Sequence, residues 1–227
     1  MTEASAAESQ QKRAYEHIRK GIIYADYKPG ERLSMKGLGE TLELGRTPVR
    51  EALVRLQQEG LVHTVPQSGT YVSLINLGLA ESARFVRENL EKQVVVECCS
   101  RLDEHAYRAI DDVIQEQISA AERTDEKGFF VNDNLFHCLL FQVAGRSEVW
   151  NWLDSLSVSL DRIRWLSACT EGLKWQTVLD QHLAICDAIV NRDPNEARYI
   201  MSLHLHKVLG DKRTIIDRFP EYFEAGA

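Results

Sequence analysis

No stretch of the 227-residue sequence approaches the ~20 consecutive apolar residues that a membrane-spanning helix needs, so no helical span is expected. A secretory leader is missing as well, because MTEASAAESQ is polar and acidic where a leader is basic and then apolar. Residues 1–10 read instead as a disordered lead-in. The cysteines Cys98, Cys99, Cys138, Cys169 and Cys186 are odd in number and include no CxxC pair, which disfavours a disulfide framework and suits a reducing, cytoplasmic compartment. Each lies in a helical, apolar context, as a small buried hydrophobe does. There is no internal repeat and no low-complexity tract. Excess positive charge is also lacking: the net charge is −7, which at first argues against a nucleic-acid partner, since phosphate binding draws on Lys and Arg.

The distribution of charge matters more than its sum. Residues 1–76 hold ten Lys/Arg against nine Asp/Glu, and the remainder holds seventeen against twenty-five, so the two parts differ electrostatically. The length allows one large domain or two smaller ones, and the apolar and charged fractions, 44% and 27%, are those of an ordinary globular chain.

In the N-terminal part, Tyr15, Ile18, Ile22 and Ile23 give a helical stripe over about residues 11–26, broken by Tyr27, Lys28, Pro29 and Gly30. Ser34 is placed to cap a short second helix with Leu38 and Leu42 inward. In GRTPVREALVRLQQEG, Val49, Ala52, Leu53 and Leu56 recur at helical spacing while Arg46 and Arg50 share another face. Gly60 suits a left-handed helix end, and Thr47 before Pro48 is positioned to cap the start. LVHTV, a PQSG turn and TYV then read as a hairpin.

Helix, helix, turn, helix and hairpin is the order of a winged helix-turn-helix, expected over residues 11–74. In it the early residues of the last helix face major-groove base edges, where arginine bonds guanine O6 and N7 bidentately. Arg46, Thr47 and Arg50 are the candidate readers of double-stranded operator DNA. Lys36 and Arg55 are candidate phosphate contacts, and Gly69 lets the hairpin tip approach the backbone. The competing reading of the same residues is a solvated basic helix face.

The segment RLSMKGLGETLELGRTPVREALVRLQQEGLVHTVPQSGTYV resembles the N-terminal domain of GntR-family bacterial transcription regulators. Arg46, Thr47, Pro48, Val49, Arg50, Glu51, Ala52 and Leu53 match that family's recognition helix without a gap, and Arg55, Leu56, Glu59, Gly60, Leu61, Gly69 and Val72 continue the match. Glu43 stands where the family has a turn glycine and Gly45 where it has a serine. Since a non-glycine residue is strained at positive φ, the turn is expected to be rebuilt around Gly45.

Beyond a linker at Leu74–Leu79 the periodicity is all-helical, with candidate helices near residues 80–102, 104–123, 127–144, 147–168, 173–191 and 194–218. A bundle domain is therefore expected over 80–218, with a tail at 219–227. The fold class is mainly α. Asp193, Pro194 and Glu196 make a capping-box-like helix start, and Gly145 and Gly172 supply breaks.

Four of these helices carry charged or titratable groups on the inward stripe: Ala83, Arg87, Leu90, Val94; Phe130, Asp133, His137, Leu140; Val178, His182, Ile185, Ile189; and Ala197, Met201, His204, Val208. Such groups are costly inside a core unless paired, hydrogen-bonded or bound to metal. Asp133 and His137, at i and i+4, reach one point, and His182 and His204 complete a set suited to a divalent ion such as zinc or nickel. Singly, each histidine reads as a satisfied core residue. Arg87 is placed to hold a small carboxylate opposite the ion, against the alternative of a buried ion pair with an internal acid. His17, His63, His105 and His206 read as surface residues.

Residues Ala83–Val208 resemble the FadR C-terminal (FCD) branch of the GntR regulators, through Arg87 and Glu91 in RENLE, Asp133 and His137 in DNLFH, His182 in QHLAICDAI, and Ala197, Met201, His204 and Leu205 in ARYIMSLHL. Gln181 replaces a common glutamate there. Lys174 stands where many members have arginine, a point charge for an anion where the guanidinium binds bidentately. The resemblance implies a cytoplasmic homodimeric regulator, usually a repressor, whose operator affinity responds to a small carboxylate effector. A metal-responsive sensor and a metal-dependent enzyme are the alternatives that the same donor set allows.

Overall fold

The computed structural model of the chain describes residues 3–170, 175–207 and 209–225. Two compact units emerge: Met1–Leu77 with Ile216–Ala227, and Gly78–Ile215. None of the described helices is long and apolar enough to cross a membrane.

The first unit runs α1 (Glu3–Ile23), β1 (Arg32–Leu33), α2 (Met35–Leu42), α3 (Arg46–Gln58), β2 (Val62–Val65) and β3 (Gly69–Val72). Helix α1 begins at Glu3, so the described part of the segment expected as a lead-in, residues 3–10, continues that helix. Its buried side, Ala14, Tyr15, Ile18, Ile22 and Ile23, belongs to the same core as Val49, Ala52, Leu53 and Leu56 of α3. Ser34 caps α2 by accepting from the Gly37 amide at 3.2 Å, and Leu38 and Leu42 are buried. The hairpin pairs Val62 with Val72 and Val65 with Gly69, and β1 adds a third antiparallel strand on β3. At two residues, β1 is too short to show a period.

Two expectations about the turn into α3 fail. Glu43 itself takes the left-handed conformation, φ 54 and ψ 42, while Gly45 is extended at φ −67 and ψ 170 and forms the N-cap. The turn is therefore not rebuilt around Gly45, and Thr47 lies inside the helix and does not cap it. The cost of the left-handed glutamate, about 1 kcal/mol, is small against the packing of α2 and α3. At the other end Gly60 adopts φ 75, as its place after the last turn requires.

The second unit is helical: α4 (Leu77–Arg101), α5 (Glu104–Glu122), α6 (Glu126–Val143), α7 (Ser147–Leu156), α8 (Val158–Ala168), α9 (Trp175–Val190), α10 (Pro194–Lys207) and α11 (Lys212–Arg218), the last ending in the first unit. Its core gathers Val95, Cys98, Ile110, Ile114, Phe136, Leu140, Phe141, Ile185, Ile189, Ala197 and Met201. Asp193 caps α10, accepting from the amides of Asn195 and Glu196 at 3.1 and 3.0 Å. The single helix expected over 147–168 is two, divided at Ser157, whose Oγ donates to the Leu153 carbonyl at 2.7 Å and competes with the backbone ladder. The helix expected over 194–218 is likewise two, α10 and α11.

The tail is not a loose end. A 3-10 turn, Pro220–Tyr222, leads to Phe223, which bridges to Ile75: the Ile75 amide donates to Tyr222 O at 2.8 Å and the Glu224 amide to Ile75 O at 3.1 Å. Phe223 and Ile75 are buried, and Asn76 Nδ2 donates to Glu224 Oε2.

Candidate functional site

In the first unit, α3 buries its apolar stripe and exposes Arg46, Thr47 and Arg50. The N-cap glycine offers no side chain to the free amides of the first turn, which leaves that helix end open to an anion. Lys36 is exposed and pairs with Glu40 at 3.7 Å. Arg55 is less free than its sequence position suggests: it bonds Glu59 at 3.1 Å and lies 3.6 Å over the Tyr15 ring. Gly69 has φ 144.

In the second unit the bundle brings Asp133 and His137 of α6, His182 of α9 and His204 of α10 together, their donor atoms all within 4.8 Å of one another and all four residues buried. His137 Nε2 and His204 Nε2 stand 3.2 Å apart, and Asp133 Oδ1 lies 3.6 Å from His182 Nε2. Each ring is held from behind. His182 Nδ1 donates to Gln117 Oε1 at 2.8 Å, His204 Nδ1 to Gln181 Oε1 at 3.0 Å, and His137 Nδ1 bonds Glu91. Amide and carboxylate oxygens accept, so the proton of each imidazole sits on Nδ1 and all three Nε2 lone pairs face the centre.

The electrostatics agree with neutral imidazoles. Burial pushes His182 down to about 3 and His204 well below its ordinary value, and His137 is also lowered, chiefly by burial. Burial would raise Asp133, but the Arg164 guanidinium bonded to it holds it well below the carboxylate range. Glu91, against the same burial, is held at about 2 by His137 and Arg87. His182 Nε2 is buried with no hydrogen-bond partner. An orphaned lone pair among three neutral imidazoles and an ionised carboxylate is a donor set that fits a divalent cation.

Beside the centre opens a cavity of ≈ 380 Å³. Phe129, Phe130, Trp175 and Val178 line its apolar side, and Arg87, Arg164, Gln181 and Lys207 are among its polar walls. Arg87 does form the buried ion pair that competed with its ligand role, Nε to Glu91 Oε1 at 2.5 Å, yet its Nη2 has no partner. Lys174 lies outside the described residues, as does Gly172. His17, His63, His105 and His206 are exposed.

Two contributors escaped the sequence reading. Gln117 stands on the buried stripe of α5 with Ile110, Val113 and Ile114, the same signal that exposed the histidines. Arg164 bonds Asp133, Asp161 and Asn134 and lines the cavity; no stripe marks it, because its role depends on how α8 lies on α6.

A winged helix-turn-helix carried on one polypeptide with a helical bundle that holds a buried donor centre and a cavity is the architecture of a DNA-binding transcription regulator. Comparison with known proteins gives the family. Residues 10–72 match the bacterial regulatory proteins of the gntR family and residues 83–207 match the FCD domain. The chain belongs to the GntR family and carries an FCD domain. It is 30% identical over 209 residues to the HTH-type transcriptional repressor RspR of Escherichia coli K12, covering 92% of this chain and 91% of that one. An HTH-type transcriptional regulator in an unstable DNA locus of Streptomyces ambofaciens is 32% identical over 213 residues, 94% and 89% of the two chains. The solved structure of E. coli McbR/YncC superposes with a TM-score of 0.80 at 16% identity, over 92% of this chain and 98% of that one, a likeness of fold. These relatives are regulators, not enzymes, and so is this protein.

Proposed function

We propose that this regulator is a cytoplasmic homodimeric repressor that reads a two-fold related operator with Arg46, Thr47 and Arg50. Its operator affinity is set by a small carboxylate bound beside a divalent ion in the helical unit. The observation that carries the effector half is the convergence of three Nε2 lone pairs and Asp133 next to a cavity into which Arg87 and Arg164 bring positive charge. Asp133, His137, His182 and His204 would hold the ion, zinc or nickel by the chemistry of the donors. When bound it supplies a Lewis-acidic centre for a carboxylate oxygen. Arg87 orients the same anion, and Phe129 and Trp175, stacked at 4.6 Å, exclude water from its apolar part. An effector changes DNA affinity only by favouring one of two arrangements of the protein, so binding and release are reciprocal.

The experiment is fluorescence anisotropy on a duplex selected by the protein from a random-sequence library, with metal-depleted protein, then zinc or nickel, then a panel of organic acids at constant saturating metal. Release by one acid at constant metal is the expected result. Release by the ion alone makes the protein a metal sensor, the alternative reading of the same donors, and no response to either overturns effector control at this centre.

A further inference from the structure

Arg32 opens β1, and the sheet delivers its side chain to the tip of the wing. Arg32 is the register partner of Tyr71, and Tyr71 of His63, so the three side chains form one row across β1, β3 and β2. Strand alternation puts this row on the face opposite buried Leu33, Val62 and Val72. Along that face the guanidinium runs toward the hairpin: a Cβ on Gly69 would come 2.7 Å from Arg32 Nε and 3.4 Å from Nη2. Next to it, Ser68 Oγ and Tyr71 Oη are 2.6 Å apart, and the Tyr71 ring is stacked on His63 at 5.9 Å. Of the two hydroxyl protons in the Ser68–Tyr71 pair one lies between the oxygens, and the other remains to be donated outward. Arg32 is exposed and forms no hydrogen bond or ion pair among the described residues.

We propose that Arg32, Ser68 and Tyr71 form a phosphate-binding corner at the wing tip, which grips one phosphate of the DNA backbone, and that Gly69 is the residue that makes room for the guanidinium. An arginine fork and a hydroxyl donor are the groups that bind a phosphate diester, and a neighbouring side chain at Gly69 would displace the fork. This rests on the DNA-binding role of the first unit and names a contact within it.

The test measures affinity of the full-length protein for its selected duplex and for a mixed-sequence duplex between about 50 and about 200 mM salt. Removing one phosphate contact flattens the slope of log K against log salt by about 0.9, and a homodimer on its operator loses one contact per protomer, about 1.8 in all, so across that range Arg32→Ala is expected to lose about 12-fold less affinity than wild type does. At low salt its binding should be weaker by the same factor on both duplexes. Arg32→Lys keeps the charge and should keep the slope. Gly69→Ala should flatten the slope more in the wild-type background than in the Arg32→Ala background, where only the strain of a side chain at φ 144 remains, and a double-mutant cycle reads the difference. An Arg32→Ala protein of unchanged melting temperature with an unchanged slope overturns the proposal, as does a loss confined to the selected duplex, which would make Arg32 a base reader. A slope lost equally in Arg32→Lys means a damaged wing and overturns it too. Arg50→Ala in α3 is the separate control: if it also leaves the binding of both duplexes untouched, the reading of DNA by this unit has failed, and not the wing contact alone.

Discussion

His137 and His204 face each other with their Nε2 atoms 3.2 Å apart while Glu91 and Gln181 hold their Nδ1 atoms. Two lone pairs at that distance repel unless positive charge lies between them. The tautomers are imposed by acceptors on the far side of each ring, so the arrangement favours a cation at the centre over a hydrogen bond across it.

The residues behind the rings therefore matter as much as those in front. Gln117 fixes the tautomer of His182, and Gln117→Ala is expected to weaken metal binding 10- to 100-fold, roughly the usual effect of losing such a partner, without removing a ligand. His182→Ala removes a ligand and should cost more. Competition against a chromophoric chelator measures both. Unchanged affinity in Gln117→Ala would show that the tautomer needs no holding, and full metal occupancy in His182→Ala would show that the ligands lie elsewhere.

Metal-free protein should lose stability in mild acid. His182 has an ordinary value of 6.5 and a folded value of about 3, so between these the unfolded chain carries a proton that the folded chain refuses. Stability thus falls as pH drops. His182 alone contributes a loss of about 1.4 kcal/mol between about pH 7.5 and about pH 5.5, and His137 and His204 act in the same direction. Glu91, whose folded value is depressed, adds to the loss only below about 4.5. Urea midpoints in the presence of a chelator test this; a midpoint flat across the range would contradict neutral buried imidazoles. Added metal should shift the midpoint upward at pH 7.5 and less so at 5.5, since protons compete for the donors.

Much of this was legible in the residues. Helices with a full apolar stripe declared themselves, and the four centre residues stood out because each interrupts such a stripe with a titratable group. Gln117 carried the same signal in a weaker form, a neutral amide among Ile110, Val113 and Ile114. Arg164 was illegible because nothing local says that α8 aims it at Asp133. The division at Ser157 hangs on one hydroxyl choosing a carbonyl, and β1 on two residues finding an edge of β3. Phe219, Tyr222 and Phe223 are too few to show a period, so the docking of the tail at Ile75 was invisible until the chain had folded.

The turn before α3 offers a stabilising change. Glu43 holds φ 54 with an exposed side chain, and a Cβ in the left-handed region costs about 1 kcal/mol. Glu43→Gly should therefore raise the stability of the first unit by roughly 0.5–1 kcal/mol, the greater flexibility of glycine in the unfolded chain offsetting part of the gain. Chemical denaturation reads the change. A loss of stability would show that the glutamate side chain contributes more than its backbone conformation costs.

Phe223 gives the corresponding test at the other end of the chain. It is 5% exposed, and its flanking residues exchange two backbone hydrogen bonds with Ile75, two residues ahead of α4. Truncating it to alanine removes an aromatic side chain from a packed site, a change that costs about 3 kcal/mol or more where the surroundings do not collapse. Because the Ile75 amide donates to the Tyr222 carbonyl, local loss of the bridge should speed hydrogen exchange at Ile75 more than at Val49 or Leu56 in the core of α3. Equal acceleration at all three would mean that the whole unit opens at once and that the tail is part of its cooperative core. Unchanged exchange at Ile75 would mean that the bridge does not persist in solution. The expected order, Ile75 first and α3 last, makes the tail a clasp on the segment that joins the DNA-reading unit to α4.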